Sequence, residues 1–443
     1  MTDSTGPADF RDIRDISDIS DFIDFIDASP SSYHAAAEVA SRLEAAGFTR
    51  QDEKERWDAG AGGHYIVRGG AVLAWRIPEP AGDGERPQRF RIVGSHTDSP
   101  GLKLKPVGDI VGPGGWRQAA VEVYGGAILP AWLDRELRLA GRVVLADGTE
   151  HLVRTRPVLR VPHLAIHLDR AVNNGLTLDR QQHMQPVFAV GDGAPTIGEV
   201  IADSLDVGGV TPADILAHDL ITVDAQRGAV FGAQDDFIAA GRMDNLSSVF
   251  TSLQAFLAAR PDSADGTSSI PVFAAFDHEE VGSATTGGAA GPVLEDVLTR
   301  TAASLGADAE ETRAMFARSS CVSADAAHSV HPNYAGKHDP VHRPVINGGP
   351  VLKVNANQRY ASDATTSAAW RAACRSVGAP DQVFAGNNDV PCGSTIGPIT
   401  ATRLGIPTVD VGIPLLSMHS AREMAGVHDL AWFTDTLRAW WEQ

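Results

Sequence analysis

The sequence predicts an α/β protein whose sheet is interrupted by a mostly β insertion. Three observations carry that expectation. From Met243 onward, apolar strand-like runs alternate with helical patterns, the order that builds a sheet with crossover helices. Between Gly101 and about Phe237 the texture changes to strand-like runs and turn signals, with few long helical patterns. The run Ile270 to Ala275 is short, apolar and rich in strand formers, and reads as a buried strand of a largely parallel sheet.

The elements follow in order. Met1 to about Asp9 reads as disordered, and residues 1–20 as a disordered or helical extension. Ile13, Ile16, Ile19, Ile23 and Ile26 recur at three- and four-residue steps between aspartates, an amphipathic helix pattern. Pro30-Ser31-Ser32 offers an N-cap for a helix holding Ala35 to Ala46, and Gly47 stops it. Strands are expected at Tyr65 to Val67, Ala71 to Trp75 and Phe90 to Gly94, the last delivering Ser95-His96-Thr97-Asp98-Ser99-Pro100. Within the insertion, assigned to 101–237, Leu137 to Leu145, the turn Asp147-Gly148 and His151 to Arg156 read as a hairpin. Helices are then expected over Leu246 to Ala259, Val293 to Leu305, Ser367 to Val377 and His428 to Trp441. Strands are expected over Pro271 to Ala275, Cys321 to Ala324, Val351 to Val354 and Pro407 to Val411. The domain outside the insertion is therefore discontinuous, 21–100 and 238–443. Gly287-Gly288-Ala289-Ala290-Gly291 reads as a loop, and not as a phosphate cradle, because no Lys-Ser/Thr follows it.

Composition narrows the function classes. The 443 residues suffice for two domains, and 43% hydrophobic with 21% charged residues is a globular balance. No apolar run reaches the ~18 residues of a membrane-spanning helix, and the acid-rich start has no signal-peptide core. Cys321, Cys374 and Cys392 are few and widely spaced, which points to a reducing, cytoplasmic setting and away from a disulfide framework. A formal charge of −19 argues against a nucleic-acid partner. Lysine is confined to Lys54, Lys103, Lys105, Lys337 and Lys353.

The chemistry centres on Asp277-His278-Glu279-Glu280 at the exit of the Ile270 run. Adjacent carboxylates there are costly unless a cation holds them, and ligands of open α/β sheets bind at the carboxyl ends of strands. One glutamate can bind a metal while its neighbour faces the metal's water as a base. The alternative is a solvated acid pair. A His-Glu-x-x-His zinc helix is excluded, because position 282 is Gly. Further ligand-type residues follow strands or start helices: His96 with Asp98, Asp244, Asp325 and His419. On extended chain His96 and Asp98 share a face, so Asp98 can fix the imidazole tautomer. Singly, His96 or His419 reads as a structural histidine, Asp244 as a helix cap and Asp325 as a loop acid. Together they offer two imidazoles and three carboxylates with one carboxylate left as a base, which is the demand of a two-zinc hydrolytic site. Co²⁺ or Mn²⁺ can substitute with such N/O donors.

The segments Ser95-His96-Thr97-Asp98-Ser99-Pro100, Gly241-Arg242-Met243-Asp244-Asn245-Leu246, Asp277-His278-Glu279-Glu280-Val281-Gly282-Ser283, His331-Pro332-Asn333-Tyr334, Gly349-Pro350-Val351-Leu352-Lys353-Val354-Asn355, Asn388-Asp389-Val390-Pro391-Cys392-Gly393-Ser394-Thr395-Ile396-Gly397-Pro398 and Met418-His419-Ser420-Ala421-Arg422-Glu423 stand in an order that resembles the aspartyl aminopeptidases. These are cytosolic co-catalytic zinc exopeptidases related to the yeast vacuolar aminopeptidase. The resemblance runs from about Asp21 to the end. It implies a phosphorylase/hydrolase-like α/β sandwich with an inserted β-rich dimerisation domain, and assembly into tetrahedral dodecamers. It implies one zinc on His96, Asp244 and Asp325, and a second on the shared Asp244, Glu280 and His419. Glu279 would be the base and Asp98 the partner of His96. Lys353, His328 and Tyr360 would line the substrate pocket, and His167 would enter a neighbouring subunit's site; read alone, His167 is a surface histidine. Lys353, on an apolar run, reads alone as a lysine paired with an internal acid or reaching solvent. The implied substrates are peptides with N-terminal Asp or Glu. A neutral-residue aminopeptidase of the same family, or a binding or cargo protein with a vestigial site, is the alternative; retention of Glu279 weighs against the latter.

Overall fold

A computed structural model describes residues 16–57, 60–79, 86–260 and 268–443. Its main sheet has nine strands in the order Thr49–Arg50, Gly62–Arg68, Ala71–Ile77, Ser269–Phe276, Arg89–His96, Ser320–Ala324, Thr408–Gly412, Val351–Val354 and Gln382–Ala385. The consecutive strands Ser269–Phe276, Arg89–His96, Ser320–Ala324 and Thr408–Gly412 are parallel to one another. The sheet is mixed at its flanks, where Ala71–Ile77 and Val351–Val354 run antiparallel to their inner neighbours. Ser269–Phe276 is buried along its whole length, as a strand covered on both faces must be.

Period-two alternation sends side chains to two apolar layers. Val93, Phe273, Ala275 and Val322 face one cluster with Leu246, Phe256 and Trp441, while Ile92, Val272, Ala274 and Cys321 face another with Val293, Leu298 and Phe316. Phe256 stands 6.0 Å from Phe273 and 5.4 Å from Trp441, ring centre to ring centre. Truncating such a ring to Ala costs ~3–5 kcal/mol. The helices therefore sandwich the sheet.

The isoleucine repeat near the start forms the helix Ile16–Ala28, which buries Phe22 and Phe25 against Phe250 at 5.3 and 5.5 Å. Ile13 and residues 1–9 lie outside the described residues. Ser31 caps the helix Ser32–Ala45 by accepting from His34 N, and Gly47 leaves it at φ 84°. Three further helices are not foreshadowed by the sequence: the short Ile197–Ala202 within the insertion, Ala309–Arg318 and Ile396–Leu404. Ala309–Arg318 buries little beyond Thr312, Met315 and Phe316, so its periodicity is faint. Ile396–Leu404 opens with Gly397 and Pro398, which read as breakers but sit in the first turn, where proline is tolerated.

The inserted segment forms its own antiparallel sheet, ordered Glu150–Arg154, Leu137–Leu145, Ile215–Asp224, Gly101–Val111, Trp116–Tyr124 and Val187–Val190. Leu102, Val121, Leu139, Val143 and Leu220 lie in a separate apolar cluster. Ala229–Phe231 departs from this sheet. It pairs with Phe237–Ala240, which pairs with Glu423–Gly426 near the C-terminus. No helix among the described residues is long and apolar enough to cross a membrane.

Candidate active site

The four parallel strands bring their carboxyl ends to one edge. In register, Phe276 stands beside His96, so the chain leaving Phe276 runs past that imidazole. His278 adopts φ 63° and bends the chain into the turn Glu279–Val281. A non-glycine residue there costs ~1–2 kcal/mol. Asp98 compensates, accepting Glu279 N at 3.0 Å and Glu280 N at 3.1 Å on its two oxygens. Asp325 directly follows Ser320–Ala324, and His419 lies beyond Thr408–Gly412, at φ 67°. Asp244 sits in the first turn of Met243–Ala258 with non-helical φ and ψ, and it is not the N-cap, a position held by Arg242.

Asp244 is the hub. Its Oδ1 lies 3.5 Å from His96 Nε2 and its Oδ2 lies 3.2 Å from His419 Nε2. Asp325 Oδ1 stands 3.4 Å from the first imidazole, and Glu280 Oε2 stands 3.4 Å from the second. Two triads, His96-Asp244-Asp325 and His419-Asp244-Glu280, thus share one carboxylate. The atoms of His96, Asp244 and Glu280 also fall within 4.8 Å of one another, which spans both triads. Glu279 Oε2 is 3.9 Å from His96 Nε2 and belongs to neither set. His96 Nδ1 makes its hydrogen bond to the main-chain carbonyl of Asp98 at 3.1 Å, with Asp98 Oδ1 beside it at 3.3 Å, so the two-residue spacing pairs them through backbone as well as side chain.

The electrostatics call for cations. Burial alone would lower the His96 and His419 pKa values, yet Asp244 with Asp325 holds the first well above its ordinary value, and Asp244 with Glu280 raises the second to about 10. Burial pushes Glu279 up to about 7 against the pull of His96, and it drives Glu280 well above the usual carboxylate range. Carboxylates that favour a positive charge on two imidazoles are suited to a metal ion in its place. Asp244 Oδ1 and Glu280 Oε1 are buried without a hydrogen-bond partner among the described residues. Such atoms are expensive unless something binds them. The donor set of imidazole nitrogen and carboxylate oxygen fits zinc.

The residues expected to line a substrate pocket are less uniform. Lys353 is buried and spends its three N–H donors on Asp325 O at 2.9 Å, Asp325 Oδ2 at 3.3 Å and Ala326 O at 3.2 Å. It is a lysine paired with an internal acid, and it lies 5.1 Å over the Tyr360 ring. His328 meets Phe384 edge-on at 5.7 Å, with a pKa lowered by desolvation and by Lys353. His167 takes no part in the contacts that hold the cluster; it sits on an exposed turn between Ile166 and Leu168. The sequence reading gave no role to Glu423, which is buried and accepts Asp244 N at 3.0 Å and His419 N at 2.8 Å. Its signal was its place four residues after His419. Tyr124, bonded to Asp98, had no such signal.

Residues 25–441 match the family described as "Aminopeptidase I zinc metalloprotease (M18)". The chain is 50% identical over 404 residues to the Streptomyces coelicolor protein named "Probable M18 family aminopeptidase 2", covering 91% of this chain and 92% of that one. Among solved structures, that of the "Ape4 and Nbr1 complex" is similar at TM-score 0.90 and 34% identity, covering 96% of this chain and 85% of that one. The "S. cerevesiae mApe1 dodecamer" is similar at TM-score 0.79 and 27% identity, covering 95% of each chain.

Proposed function

The chain belongs to the M18 family of zinc metalloproteases and is an aminopeptidase, and from that premise we propose that it removes single acidic N-terminal residues from peptides with two zinc ions per subunit. One observation carries the two-ion reading: Asp244 turns one oxygen to each imidazole, with Asp325 and Glu280 completing the two sides. His96, Asp244 and Asp325 would hold one ion, and Asp244, Glu280 and His419 the other. Such a pair, when bound, supplies Lewis acidity that activates water and polarises the scissile carbonyl. Glu279, outside both ligand sets, takes the proton of the attacking water and returns it to the leaving amine. Its pKa near 7 suits a group that must both accept and release a proton. Asp98 keeps His96 oriented and holds the turn that aims Glu279. The acids of the site also suit a free α-amine, which favours removal of a terminal residue.

Acidic specificity would rest on Lys353, His328 and Tyr360, the two rings both edge-on to Phe384. To meet a substrate carboxylate, Lys353 must give up one of its present acceptors. Assembly into a homo-oligomer, a tetrahedral dodecamer built from dimers, is supported by the dodecameric relative. It is also supported by Leu164, Ile166 and Leu168, which are 60%, 50% and 75% exposed around His167 on the inserted segment. Apolar side chains exposed together mark a contact surface, and the inserted domain would form it. Three free cysteines are the usage of a reducing compartment, consistent with a cytoplasmic enzyme. The deciding experiment is a turnover panel of aminoacyl substrates bearing Asp, Glu, Leu and Ala. We expect Asp and Glu to lead; a lead for Leu would make this a neutral-residue aminopeptidase.

A further inference from the structure

The inserted sheet reaches the metal centre through one short stretch. Tyr124 ends the strand Trp116–Tyr124, and Gly125 and Gly126 follow. Tyr124 donates its hydroxyl to Asp98 Oδ2 at 2.7 Å. That carboxylate also accepts Glu279 N and Glu280 N and faces His96 Nδ1. Two residues on, the Gly126 carbonyl lies 3.2 Å from His419 Nδ1. A carbonyl only accepts, so Nδ1 carries a proton and, in the neutral ring, the lone pair sits on Nε2. Nε2 is the atom that faces Asp244 and Glu280. The backbone comes as close as glycine permits. A Cβ on Gly125, at φ 67°, would stand 3.1 Å from Glu280 Cβ, and one on Gly126 would stand 3.0 Å from His419 Nδ1.

We propose that Tyr124-Gly125-Gly126 is a positioning element for both halves of the metal centre. Tyr124 acts through Asp98 on His96 and on the turn bearing Glu279 and Glu280. Gly126 acts on His419, and Gly125 gives Glu280 its room. One loop of the inserted sheet thereby holds the two ligand triads in register with each other. The strand ends alone do not do this, because His419 lies on a loop beyond its strand.

The inference rests on the two-ion reading, so its test separates the two. Zinc affinity is measured on the full chain, stripped of metal, by competition with a chromophoric chelator. The unsubstituted protein should take two ions. Tyr124→Phe, which removes one oxygen and keeps the ring, should bind at least one ion roughly 10–100-fold more weakly, as loss of a ligand-orienting partner does. The visible absorption of the cobalt-loaded protein should shift, while the melting temperature of the metal-free protein should hold. In an Asp98→Asn background Tyr124→Phe should add little, because both act along one path. Gly125→Ala should weaken the ion on Glu280 and His419 and spare the other. Unchanged zinc affinities and cobalt spectrum in Tyr124→Phe would overturn the proposal, as would fold-losses that multiply with those of Asp98→Asn. An unsubstituted protein that binds one ion would refute the two-ion reading instead, and its affinity for that ion would still decide the role of Tyr124.

Discussion

The two sheets serve the same centre by different means. The nine-stranded sheet sends charged side chains from the ends of its middle strands: His96, Asp325, and Glu279 with Glu280. The six-stranded sheet sends one hydroxyl, one carbonyl and the empty space beside two glycines. Binding a cation demands particular residue types. Holding those residues in place does not, because every backbone carries an acceptor. Deleting a cation-binding side chain should therefore abolish function, while deleting a group that only positions or contacts should degrade it by steps, whichever sheet it comes from.

The largest effect is expected at the shared carboxylate. Asp244→Ala should strip both ions and leave no measurable turnover, with zinc content by mass spectrometry falling towards none; a variant that keeps two ions per chain would break the comparison at its strongest point. Glu279→Gln should keep fold and metal content and lose ~10²–10⁴ in kcat, the usual contribution of a general base. Near-normal turnover would remove Glu279 from the mechanism. On the inserted side, His167→Phe should cost up to ~10²-fold, the scale of a misplaced positioning group. If His167 serves a neighbour, randomly mixed oligomers of His167→Phe and Glu279→Gln chains regain activity at about a quarter of their sites; no regain at any ratio, or full activity in a verified monomer, would confine His167 to its own chain. The smallest and most selective effect is that of Lys353→Met, which should lower kcat/KM for Asp and Glu substrates by roughly 10–100-fold, a charged hydrogen bond's worth, and lower it less for Leu. Equal losses on both would assign Lys353 to the support of Asp325 alone.

This division also explains what was legible in the sequence. His96, Asp98, Asp244, Glu279, Glu280, Asp325 and His419 could be picked out because their types stand after apolar strand runs or at a helix start, and the structure gathers them. The alternation of strands and helices was legible for the same reason, since burial on two faces writes continuous apolar runs. Glu423 stayed hidden because it bonds to backbone N–H groups, which no residue type announces. Tyr124 stayed hidden because its partner Asp98 is 26 residues away in sequence, across the boundary between the sheets. Lys353 was visible as an oddity, but only its neighbours in space could say where its donors go.

The strand Arg89–His96 and the first inserted strand, Gly101–Val111, are joined only by residues 97–100, all buried. Of the two crossings between the sheets, this first one is built from Asp98 and its neighbours, with Ser99 anchored to Asp244 O at 2.8 Å, and the second returns through Phe237–Ala240, paired with Glu423–Gly426. A rotation at this crossing would move Asp98, which holds Glu279 N and Glu280 N. Were an ion to occupy the cluster, its binding and the orientation of the six-stranded sheet would be linked, and linkage is reciprocal: whatever the ion did to steady that orientation, a partner that fixed the orientation would do to steady the ion by the same factor.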